Sequence, residues 1–74
     1  MEKKELRREI LEMISHELMI EDLGENDRFD TLAISDADKY SIIVNLENMG
    51  IFATTDDFDE YPELSDFLDS ILDL

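Results

Sequence analysis

Near the start of the chain, apolar residues recur every fourth position: Leu6, Ile10, Ile14 and Leu18, with Met13 beside them. That spacing draws one stripe along a helix, predicted over about residues 2–20. Lys3, Arg7 and Glu12 fall on or near its other side. Cations at a helix N-terminus oppose the macrodipole. Glu2, Glu5 and Glu9 partly offset them, so the first turn is expected to fray. Gly24 reads as the residue that closes this segment, because glycine is common just past a helix end. Residues 25–34 show no clean period, and Asn26-Asp27 reads as a turn. A loop this long is unusual in a small domain; Phe29, Leu32 and Ile34 are expected to hold it to the core.

A second helix should begin after Ser35. Its hydroxyl can accept from a backbone N–H two or three residues on, and Asp38 stands at the capping-box position. Asp36 and Asp38 suit the positive end of the helix dipole. Tyr40, Ile43 and Leu46, with Ile42 and Met49, predict a wide buried face. Asn45 and Glu47 should look outward, and Val44 sits off the main stripe. Gly50 is placed to end the helix in the left-handed conformation. Thr54 or Thr55 then caps a helix of one or two turns, with Phe58 and Tyr61 as apolar anchors. Pro62 suits a helix start. The last helix is expected from residue 62 or 63 to about residue 72, on Leu64, Phe67, Leu68, Ile71 and Leu72. Asp69 and Asp73 oppose the dipole at its far end. No segment alternates as a half-buried strand would. The expected fold is all-α: one domain over residues 1–74, a small bundle of three main helices plus a short one, with a long first loop.

Charge narrows the function. There are 21 acidic and 6 basic residues, a net charge of −15. The first eight residues carry four cations against Glu2 and Glu5; the remainder sets 19 acids against Arg28 and Lys39. Such a field keeps a chain soluble and monomeric and opposes nucleic acid, whose phosphates need Lys and Arg. A basic protein partner is the expectation. No cysteine is present, so one apolar core must hold the fold without disulfides. No apolar run approaches the ~20 residues of a membrane span, and no leader with an apolar centre is visible. The chain is expected to be cytoplasmic.

Several fragments, in order and nearly without gaps, resemble acyl carrier proteins over about the last fifty residues. Glu25-Asn26-Asp27-Arg28-Phe29 is similar to that family's E-N-x-x-F. Leu32-Ala33-Ile34-Ser35-Asp36 resembles its L-G-x-D-S, and Ile42-Ile43-Val44-Asn45-Leu46-Glu47 its L-V-x-x-L-E. Leu64-Ser65-Asp66-Phe67-Leu68 resembles V-G-D-x-I at the start of the family's final helix. The resemblance implies a carrier-type bundle whose second helix meets acyl-transfer or synthase enzymes. In the family, the serine of Asp-Ser-Leu bears phosphopantetheine. Here Ser35-Asp36-Ala37 stands in its place, Asp36 falls on the serine position, and Ala33 falls on the glycine.

Two readings follow from these residues. Either the protein keeps the carrier architecture without the arm and works by binding a partner, or the arm attaches at Ser35, one residue and ~100° round the helix from the family's site. In both, Asp36, Ala37, Asp38, Ser41, Val44 and Glu47 are the expected partner-binding residues. A third reading is an acidic inhibitor that imitates nucleic acid toward a basic protein. Enzyme chemistry is not expected: no His–nucleophile pairing, phosphate-cradling glycine loop or zinc spacing is present. His16, the single histidine, reads as an ordinary helix residue. Asp56, Asp57, Asp59 and Glu60 lack the loop glycine and terminal Glu of an EF-hand, so diffuse counterion binding is expected there.

Overall fold

In a computed structural model, which describes residues 3–72, the first apolar stripe winds into α1, Lys3–Leu18. Glu2 and Asp73, expected in the first and last helices, lie outside the described residues. α1 stops two residues short of the expected Ile20, and Gly24 is not its cap. The chain turns left-handed at Met19 (φ 56°). The N–H of Ile20 bonds the carbonyl of Ser15 (3.0 Å), and that of Met19 the carbonyl of His16 (3.2 Å). This is the Schellman closure usually made by glycine. Gly24 instead opens a turn: its N–H donates to Asp27 Oδ2 (2.8 Å), and its carbonyl accepts from the Asp27 N–H (3.1 Å).

The long connection is not free of helix. It contains one turn, α2, Phe29–Leu32, that ends at Ala33 in the left-handed region (φ 52°). Its four residues are too few to establish a period in the sequence. α3 follows over Asp36–Asn48, α4 over Thr55–Glu60 and α5 over Leu64–Ile71. Gly50 takes the expected positive φ, 81°. Thr54 caps α4 with Asp57 as its capping-box partner. The described residues form an all-α bundle with five helices and no strand.

The core gathers Ile10 and Ile14 of α1, Ile42, Ile43 and Leu46 of α3, Ile51, and Leu64, Phe67 and Leu68 of α5. Phe29 and Phe58 complete it, and Ile34 packs against it. The Phe29 ring meets Phe58 and Phe67 edge-on, with centroids 4.8 and 5.0 Å away. Such offset and edge-to-face pairs add to the burial of area. Phe29 thus fastens the loop to α4 and α5, as its position implied.

Main-chain bonds reinforce that junction. The Phe29 N–H donates to the Pro62 carbonyl (2.7 Å). The N–H groups of Leu64 and Ser65 donate to the carbonyls of Asp27 and Glu25, both at 2.9 Å. These are first-turn donors of α5, which have no partner within their own helix. The loop therefore caps α5 with its backbone.

Arg7 departs most from expectation. Expected on or near the side away from the apolar stripe, it is instead sheltered, its side chain only 15% exposed. Its guanidinium donates to both carboxylate oxygens of Glu25 and to Asp69 Oδ1 (2.5 Å), and reaches the Ser65 carbonyl at 3.4 Å. One planar cation thereby ties α1 to the loop and to α5, a geometry that suits the fork of arginine. The bonds to Glu25, first, and to Asp69 hold its pKa above the ordinary arginine value.

Candidate functional site

The start of α3 is built from a short polar sequence. Ser35 is extended (φ −84°, ψ 167°) and serves as N-cap. The Asp38 N–H donates to Ser35 Oγ at 3.1 Å, and the Ser35 N–H donates to Asp38 Oδ2 at 3.2 Å. Both halves of a capping box are thus made with Asp in place of the usual Glu. Asp38 is committed to this box. Asp36, two residues earlier, is not: its side chain is 90% exposed. The carboxylate stands in the first turn, where the helix dipole favours a negative charge.

Lys39 lies beside this start but faces inward. Its side chain is 16% exposed, and its ammonium sits 3.6 Å from Asp59 of α4 and 3.9 Å from Asp36. At ~100° per residue, Lys39 falls within the stripe formed by Ile42, Ile43 and Leu46. Its stem follows the apolar face while its head reaches the rim, as long cationic side chains do. α3 and α4 therefore meet through an ion pair above the core.

The outward face of α3 carries Ala37, Tyr40, Ser41, Val44 and Glu47, all exposed. Tyr40 is a correction. Expected in the buried face, it is among the large apolar side chains left open, with Val44. By the same helical count it stands ~120° from the centre of the stripe. Asn45 also differs: it is half-buried and donates to Glu17 of α1 at 2.6 Å. Glu17, Tyr40, Ser41, Val44 and Asn45 line a shallow hollow of about 320 Å³. Of the residues expected to bind a partner, Asp36, Ala37, Ser41, Val44 and Glu47 are open to one, while Asp38 is engaged as a cap. Tyr40 joins them.

Chemically, the face offers a strip of two exposed apolar side chains flanked by carboxylates. Position 36 carries a carboxylate, and the neighbouring hydroxyl of Ser35 accepts the cap bond. Among the described residues, no set of three or more His, Asp and Glu is arranged to hold a metal ion. Likewise, no helix there is long and apolar enough to cross a membrane.

No protein-family model matches the chain, and neither a curated protein nor a solved structure is found to be similar to it.

Proposed function

We propose that this protein is an acyl-carrier-like module that works by binding a basic protein partner, such as an acyl-transfer or synthase enzyme, without a phosphopantetheine arm. The observation that carries this reading is the pair at the start of α3: a serine engaged as the helix cap, followed by an exposed carboxylate. Modifying Ser35 would disturb a cap whose removal costs ~1 kcal/mol in comparable helices, and Asp36 has no hydroxyl to modify. The outward face of α3 supplies the docking chemistry, with Tyr40 and Val44 as apolar contacts and Asp36 and Glu47 as charges. Complementary charge of this kind steers association and sets orientation more than it raises affinity. Ala33 adds support: its left-handed backbone (φ 52°) falls where the resembling sequences have glycine, the residue best suited to that conformation.

The test is the intact mass of the protein after incubation with coenzyme A and a broad-specificity phosphopantetheinyl transferase. An unchanged mass supports the armless reading. A phosphopantetheine adduct localised to Ser35 replaces it with that of a loaded carrier. A photoreactive residue at Val44 should then capture acyl-transfer or synthase enzymes. Capture of a nuclease or a DNA-binding protein at that position would favour a nucleic-acid mimic instead.

A further inference from the structure

Beside α1, the segment that follows the helix folds back and leaves an open groove of about 1100 Å³. Its apolar surface comes from Leu11, Ile20 and Leu23, and Met19 stands at its edge, 90% exposed. Glu12, Glu17, Glu21 and Asp22 also line it, against Arg8 and His16.

Met19 is an unusual choice for its place. It occupies the left-handed position of the Schellman closure (φ 56°), which a glycine takes without steric cost. Asp22, on the same rim, is also left-handed (φ 58°). The backbone thus holds a flexible, polarizable apolar side chain out in water, where it gains nothing for the core. Side chains of this type recur on adaptable binding surfaces.

We propose that this groove binds an amphipathic helix of a partner protein, with an apolar ridge flanked by Lys and Arg. Three features argue for that occupant. The apolar floor and the Met19 side chain suit the apolar face of a helix laid in a groove. Four carboxylates against one arginine call for cations at its edges. A second copy of this chain, at net charge −15 with six Lys and Arg in all, is a poor source of them, and nucleic acid is repelled outright. The groove borders the hollow on α3 through Glu17, which lines both, but its apolar residues all come from residues 11–23, so the proposal stands whether or not the α3 face binds an enzyme.

The test uses the full ¹⁵N-labelled chain and two synthetic 16-residue peptides. One arranges Leu and Lys as an amphipathic helix; the other has the same lysines with Gln in place of Leu. At ~0.15 M salt, where exposed charges act over ~8 Å, the Leu/Lys peptide should bind saturably. Its amide shifts should concentrate in residues 8–23. The Gln/Lys peptide should bind about tenfold more weakly, a difference of ~1.4 kcal/mol. Met19→Gly, which suits the left-handed backbone and should keep the fold, should weaken the Leu/Lys peptide by a similar factor. The proposal fails if shifts centre on α3 or scatter over all the acids. It also fails if Met19→Gly binds as tightly as the parent, or if sedimentation of the free chain shows a dimer closed over the groove.

Discussion

Replacing Arg7 by Ala removes a cation that three chain segments share, and its cost can be worked from the geometry. Charge-assisted hydrogen bonds in sheltered sites contribute about 1.5–3 kcal/mol each, whereas exposed ion pairs contribute ~0–1 kcal/mol. Arg7 is sheltered, at 15% exposure, but Glu25 and Asp69 are 37% and 49% exposed. Each pair therefore falls near the middle, at ~1 kcal/mol. The packed stem of the side chain adds a further ~0.5–1 kcal/mol. The expected loss is ~2–3 kcal/mol, and in a domain of this size each kcal/mol moves the melting temperature by about 4–8 °C. Arg7→Ala should thus melt ~10–20 °C below the parent. Arg7→Lys keeps the charge but not the two-pronged geometry, and should lose about half as much. Arg8→Ala is the control. It is exposed, and it changes net charge from −15 to −16 just as Arg7→Ala does. If both Ala variants melt within 2–3 °C of each other, on a shift scale of ~4–8 °C per kcal/mol, total charge governs stability and the clamp contributes nothing. The raised pKa of Arg7 does not bring this contribution into an accessible pH range. It is fully present below the unfolded pKa and is lost only as pH rises through the folded value, which lies above the ordinary arginine range.

Two further outcomes are expected. Ala33→Gly should raise stability by about 0.5–1 kcal/mol, because the relief of a left-handed Cβ outweighs the added freedom of the unfolded chain; a lower melting temperature would contradict the assignment of strain there. Arg28 grips Asp30 through two bonds of 3.1 Å and, by that hydrogen bond first, holds its carboxyl below the usual 3.8. The stabilisation is present above the unfolded value and disappears as pH falls through the lowered one. An NMR titration should show the Asp30 midpoint rising in Arg28→Gln, and an unmoved midpoint would rule the pairing out.

Local chemistry announced much of the architecture. Ser35 and Asp38 sit at cap spacing, Gly50 at a helix end and Thr54 before two acids, and each does what its side chain or backbone freedom suggests. The apolar repeat of α1 was likewise readable. Other features needed the third dimension. Apolar residues lie almost all round α3, so the period set Val44 off the stripe but did not separate Tyr40, which faces water, from Ile42 and Ile43, which do not. Lys39 falls in the stripe, but its partner Asp59, twenty residues away, could not be paired with it from sequence. Arg7 had one available signal: with Ile10 and Ile14 it completes a three-then-four spacing on the buried side. Its acids, Glu25 and Asp69, could not be paired with it from sequence. The end of α1 was misplaced because a glycine stood nearby and a methionine took the role usually given to glycine. At the start of α3 the capping pair Ser35 and Asp38 was legible in the sequence, but the outward aromatic Tyr40 was not.

The backbone bonds between residues 25–29 and 62–65 couple two parts of the protein that look independent along the chain. An eight-residue helix does not persist alone in water, and α5 obtains its first-turn partners from a loop that has little regular structure of its own. Neither piece can come loose while the other stays in place. In amide hydrogen exchange, Phe29, Leu64 and Ser65 should open as one cooperative unit, so that damage to the connection after α1 is felt at the opposite end of the polypeptide.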